Sequence, residues 1–166
     1  MFRRISDFAE EWQDERSSTI KLMQALTDES LGQAMEPGGR TLGFLAWHLT
    51  VSFREMLGHA GLEIDGPDLG APVPSNAAEI LRQYQRASAS VLDKVGASWS
   101  DDMMEDDVPA YGMVFRRGLM LDMLIRHEAH HRGQMTVLMR QAGLPVAGPY
   151  GPSREEWRQM GLEPHP

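Results

Sequence analysis

Two histidines, His127 and His131, stand four residues apart in the stretch IRHEAHHRGQM that covers residues 125–135. On an α-helix that spacing separates two side chains by about 40° around the axis and by one turn along it. Both imidazoles can then reach one cation at a nitrogen–metal distance of about 2.0–2.1 Å. Met120, Met123, Leu124, Gln134 and Leu138 lie within about 60° of the same direction, so the pair is expected on a face turned toward a core. Two protonated imidazoles that close, away from water, would suffer desolvation and mutual repulsion. Binding one divalent transition metal as neutral ligands removes both penalties. Two ligands rarely suffice, and His48, within GFLAWHLTVSFREM, is the best third candidate. It lies on the shoulder of an apolar stripe made by Leu42, Leu45, Leu49 and Met56. Glu55 and His59 follow two and three turns along that shoulder and are reserves. His130 is at the edge of the His127–His131 face, and His165 is beside the C-terminus.

A second chemistry shares these letters. His127-Glu128-Ala129-His130-His131 matches H-E-x-x-H, the helix of zinc peptidases, where Glu128 would act as general base. Glu155 or Glu156 would then be a downstream third ligand. Against it, LPVAGPYGPS between them reads as loop, no strand offers an edge to an extended peptide, and Glu128 lies about 100° from His127. Arg132, about 100° round from His131, reads as a member of a structural pair, and Gln134 is expected to face inward and hold a histidine nitrogen from behind.

Helices must carry these groups. Phe2, Ile5, Phe8, Trp12, Thr19, Leu22, Met23 and Leu26 form one stripe over residues 2–26, with Glu10, Glu11, Asp14, Glu15 and Arg16 as the wet face. Pro37-Gly38-Gly39 breaks the chain, and Thr41 caps a second helix that fades at 58–61. GLEIDGPDLGAPVPS reads as a long crossover. Asn76 with Glu79 begins a third helix, with Ile80, Leu81, Tyr84, Val91, Leu92 and Val95 as its stripe. No segment alternates at period two, so 97–116 is expected to be loop, and its cluster Asp101, Asp102, Glu105, Asp106 and Asp107 a solvated one without the glycine and ligand spacing of a calcium loop. The fourth helix runs from about 118 to a stop before Gly143 and Pro145, and Ser153 with Glu156 opens a short last one. The expected fold is all-α: a four-helix bundle with a long crossover between helices 2 and 3 and a short C-terminal helix, in one domain over 1–166.

Composition narrows the function. A net charge of −8 repels phosphate backbones, which argues against nucleic-acid binding. No run of about 18 apolar residues predicts a membrane span, and MFRRISDFAEEWQDER lacks the apolar core of a secretory signal. The chain has no cysteine, which removes disulfides, thiolate ligands and a cysteine nucleophile and fits a cytoplasmic location. Twelve methionines suit an adaptable pocket, although at helical spacing they read first as core.

LAWHL around His48, HEAHHRGQ at 127–134, GLP at 143–145 and YGPS at 150–153 together resemble the DinB-like (DinB/YfiT-type) four-helix-bundle superfamily, over essentially the whole chain. The resemblance implies that His48, His127 and His131 bind a divalent metal, zinc or nickel, and that the protein is a homodimer. It implies a metal-dependent enzyme acting on a small molecule: a hydrolase, or an S-transferase that uses a low-molecular-weight thiol as cosubstrate. Three neutral imidazoles would leave an open position for water or thiol, with Glu55 or Glu128 as a base and Gln134 behind the ligands. The alternative is a non-catalytic, metal-stabilised binding module of a stress response.

Overall fold

The computed structural model describes residues 1–164, so the expectation for His165 lies outside the described residues. Four long helices form a bundle: α1 (Ile5–Gln24), α2 (Leu42–Gly58), α3 (Ala77–Ser98) and α4 (Arg117–Gln141), followed by a short α5 (Arg154–Gln159). Both α1 and α2 pack on α3 and on α4. The first two helices therefore occupy opposite corners, and their aromatic side chains meet across the middle. Trp12 stacks on Phe8 with centroids 5.9 Å apart and sets its edge on Phe53 at 5.3 Å, while Phe53 reaches Tyr84 at 5.5 Å. Each such aromatic pair contributes roughly 0.5–1.5 kcal/mol beyond its buried area. The Trp12 indole N–H donates to the Ser88 carbonyl at 2.9 Å, so the polar edge of this buried ring is satisfied.

The helix starts follow their local chemistry. Thr41 accepts from the Phe44 amide at 3.1 Å and Asn76 from the Glu79 amide at 2.9 Å, as residues of these types do at a first turn. Ser153 and Glu156 form the reciprocal capping box expected for α5. The segment between α1 and α2 contains a 3-10 turn (Glu29–Gly32) and then the Pro37–Gly39 break, where Gly38 takes φ of 76°. It returns to α2 through the Leu42 amide, which donates to Gln33 at 2.8 Å.

Two sequence expectations need correction. Residues 97–116 are not a plain loop. They contain a second 3-10 turn (Asp101–Glu105) and an antiparallel hairpin of β1 (Asp107–Ala110) and β2 (Met113–Arg116). Four-residue strands are too short for a period of two to emerge from the letters, and the turn is Tyr111-Gly112, both with positive φ, rather than Asn-Gly or Asp-Gly. The hairpin tucks Val108 and Ala110 against Met120 and leads directly into α4, which has no side-chain cap. The acidic cluster is exposed but engaged: Asp101 accepts the Ile5 amide at the start of α1, and Asp106 and Asp107 pair with Arg117 and Arg116.

The second correction concerns Glu15. Assigned to the wet face, it is buried at 6% exposure. Its carboxylate meets the fully buried guanidinium of Arg132 on α4 and accepts from the Tyr150 hydroxyl at 2.9 Å. Arg132 also donates to the Glu15 carbonyl at 2.9 Å and to Thr19 Oγ1 at 3.1 Å, and its guanidinium lies over the Tyr150 ring. The structural pair expected of Arg132 thus rivets α4 to α1 and to the segment that precedes α5.

Candidate metal centre

The bundle brings together the three histidines that sequence spacing selected. His48 comes from the middle of α2, and His127 and His131 come from successive turns of α4. Each offers a ring nitrogen, and these nitrogens all lie within 4.8 Å of one another, a group that can hold a metal ion. His48 Nε2 and His127 Nε2 are 3.1 Å apart. Two imidazole nitrogens on one tetrahedral ion, each about 2.0–2.1 Å from it, stand roughly 3.3 Å apart, so this pair is already near that separation. The rings meet edge to face, with centroids 4.5–5.0 Å apart, and their nitrogens converge rather than their faces stacking.

Electrostatics keep these rings in the form a metal needs. Burial first, then the neighbouring imidazoles, hold His127 down at about 4. His48 is lowered by burial and by the nearby Arg40 cation, and His131 is lowered chiefly by burial. Neutral imidazole has one lone pair to give, and a second hydrogen bond decides which nitrogen carries it. At His131, Nδ1–H donates to Gln134 Oε1 at 2.7 Å, which leaves the lone pair on Nε2. The sequence placed Gln134 facing inward; its side chain is instead exposed and meets His131 from outside. Phe44 lies parallel to the His48 ring at 5.9 Å and covers its outer side. The donor set of three uncharged nitrogens therefore fits a borderline transition metal.

The other candidates are placed elsewhere. His130 is exposed, with its ring 4.7 Å from that of His131. Glu55 faces the hairpin: its carboxylate bonds Tyr111 and, with burial as the larger cause, raises that phenol. The Tyr111 ring also covers His59 at 4.6 Å. Both reserves are thus gathered under the hairpin tip.

Glu128 is fully buried and turned toward α1 and α3. Its Oε2 accepts from Thr19 Oγ1 at 2.8 Å and from the Tyr84 hydroxyl at 2.9 Å, and burial raises its carboxyl to about 7. Glu155 chelates Arg140, while Glu156 accepts from the amides of Gly148 and Ser153. None of these three carboxylates belongs to the histidine group, and the arrangement a zinc peptidase needs is not assembled. The buried polar cluster of Glu15, Thr19, Tyr84, Glu128 and Arg132 was not anticipated as a unit. A signal existed: Phe8, Trp12, Glu15, Thr19, Leu22 and Leu26 step by four and three without a gap.

Among the described residues, no helix is long and apolar enough to cross a membrane. Known proteins share the sequence and the fold of this chain. The Bacillus subtilis (strain 168) protein YrdA is 40% identical over 163 residues, 98% of each chain. A crystal structure of a DinB-like protein from Bacillus cereus ATCC 10987 matches with a TM-score of 0.86 at 38% identity, covering 89% of this chain and 99% of that one. The DinB-like protein YjoA from Bacillus subtilis matches in fold, with a TM-score of 0.65 at 13% identity over 84% of this chain and 96% of its own. The family model described as DinB family matches residues 1–164, and the chain belongs to that family.

Proposed function

We propose that His48, His127 and His131 bind one divalent transition metal, zinc or nickel, and that the protein is a metal-dependent enzyme, a hydrolase or a low-molecular-weight-thiol S-transferase. The observation that carries this reading is the convergence of three neutral imidazoles with no carboxylate in the group. Three protein ligands are the pattern of a site with an open position, whereas structural sites are closed by four. Such a metal lowers the pKa of a water or thiol bound at the open position and so supplies a nucleophile near neutral pH.

The chain's own contributions follow from the contacts. His48 and His127 present Nε2 at one point, and Gln134 fixes the tautomer of His131. Burial and Arg40 keep His48 unprotonated at neutral pH, and burial does the same for His131. Phe44 shields one side of His48, and the Arg40 guanidinium lies over that Phe44 ring. Family resemblance also supports a homodimer, which light scattering on the purified protein tests.

Metal analysis of untagged protein, purified without a chelating column, tests the centre. About one equivalent of zinc or nickel is expected, lost in His48→Ala and His131→Ala while helix content stays. Panels of thiols with electrophiles, and of hydrolysable esters and amides, then test catalysis. A metal-loaded protein silent toward both panels leaves only the metal-stabilised binding module.

A further inference from the structure

A cavity of about 300 Å³ opens between α2, α4 and the segment that precedes α2; none of the three histidines lines it, but Gln134 joins its wall to His131. Met35, Leu45, Val137 and Leu138 make its walls apolar, and Gln134 belongs both to this wall and to the His131 hydrogen bond. The volume is at the lower end of small-molecule sites, and an apolar wall with a few polar groups is their usual composition.

Two polar side chains besides Gln134 reach the cavity: Arg40 and Glu36. Arg40 makes no ion pair with a carboxylate among the described residues. Its guanidinium instead lies over the Phe44 ring at 5.3 Å, and that ring in turn lies on His48. Eight of the other thirteen arginines have an acidic partner, among them Arg126 with Asp122 and Arg140 with Glu155, so what sets Arg40 apart is its place on the cavity wall rather than its lack of a pair. A guanidinium fork without a carboxylate partner, stacked on an aromatic ring at the wall of an apolar cavity, is a ready bidentate site for a carboxylate. Its position also has a cost: a cation near enough to be felt by His48 and His131 opposes a second cation held by the histidine group. An anion lying between the two removes that repulsion. Glu36 on the same wall disfavours a multiply charged group such as a phosphate ester.

We infer that this cavity binds a small monoanionic substrate with a hydrocarbon body, its carboxylate held by Arg40 and its body against Leu45, Val137 and Leu138. This names the substrate class for the centre proposed above and rests on that reading for the reaction, but not for the binding. Arg40 is thereby a specificity residue rather than a metal ligand.

The test uses octanoate and its uncharged counterpart octanamide with the full-length protein, zinc-free and zinc-loaded, with zinc content measured on each sample. Methyl resonances of Leu45, Val137 and Leu138 report binding. Octanoate is expected to bind roughly tenfold more tightly than octanamide, as one partly shielded charge-assisted contact allows. In Arg40→Gln that preference is expected to collapse toward unity, with octanamide binding unchanged and the fold intact. Added salt should weaken octanoate selectively. If octanoate binds Arg40→Gln as well as it binds the parent, or shifts none of these methyls, the assignment is wrong. If zinc never loads but the Arg40-dependent preference is present, the substrate assignment stands and the metal reading falls.

Discussion

Replacing Arg132 by Met tests whether the charge buried between α1 and α4 is structural. Arg132 is fully buried and Glu15 nearly so, and the pair is joined by contacts to the Glu15 carbonyl, Thr19 and Tyr150. Removing the cation strands a carboxylate at 6% exposure. Losing one partner of a buried pair costs about 3–5 kcal/mol, far more than a surface bridge. For a chain of this size each kcal/mol moves Tm by about 2–4 °C, so a fall of roughly 6–20 °C is expected. The Glu128 carboxyl, raised by burial to about 7 and held down in part by Arg132, shifts further toward its neutral form when that cation is lost, and its bonds to Thr19 and Tyr84 remain available. The double variant Glu15→Leu/Arg132→Met leaves no stranded charge and should recover to within about 1–2 kcal/mol of the parent, since apolar replacements of a buried pair are often neutral. Urea unfolding of the metal-free protein, followed by tryptophan fluorescence, measures Arg132→Met, Glu15→Leu and the double variant without the added stability of a bound ion. A single substitution costing under about 1 kcal/mol, or a double variant as unstable as the sum of its parts, would refute this account of the α1–α4 contact.

Gln134→Leu removes the acceptor from His131 Nδ1 and should weaken zinc affinity about 10–100-fold in a chelator competition, with stability of the zinc-free form little changed; unchanged affinity would show that the contact is incidental. Gly118→Ala places a Cβ 2.0 Å from the Phe2 carbonyl oxygen, so the N-terminal segment must shift off α4 at a cost of about 1–3 kcal/mol; thermal denaturation indistinguishable from the parent would contradict this packing. The Glu155 carboxyl is held at about 2, mainly by its bonds to Arg140, below its ordinary 4.5, and amide bonds lower Glu156 as well. Depressed carboxyl pKa values give stability that is present above about 4.5 and lost as pH falls toward 2. Amide exchange in α5 should therefore accelerate across that window before the main helices open, and Glu155→Gln should show the faster exchange already at neutral pH; exchange insensitive to both would count against the clamp.

Helix α4 explains both what the sequence disclosed and what it concealed. Met120, Leu124, His127, His131 and Leu138 form one face, which meets α2, and the i, i+4 histidines on it could be recognised from spacing alone. His48 could be ranked first because it sits on the shoulder of its own stripe. But Leu121, Ile125, Glu128, Arg132, Met135 and Met139 form a second buried face at the same three- and four-residue steps, and all six are buried. A helix covered on two sides has no single wet face, so its charged residues cannot be assigned to solvent by elimination. Glu15 fills the gap between Trp12 and Thr19 in the stripe of α1, and its burial follows once Arg132 needs a partner. Charge alone therefore misplaced Glu15, while periodicity taken without regard to residue type would have placed it correctly. The hairpin escaped for a different reason: its four-residue strands and Tyr111-Gly112 turn are stabilised by Met120 and by the start of α4, contacts that no local window contains. The two faces also divide the labour of this helix. Polar bonds on the inner face fix α4 against α1 and α3, and that fixed rod holds His127 and His131 opposite His48 on the other.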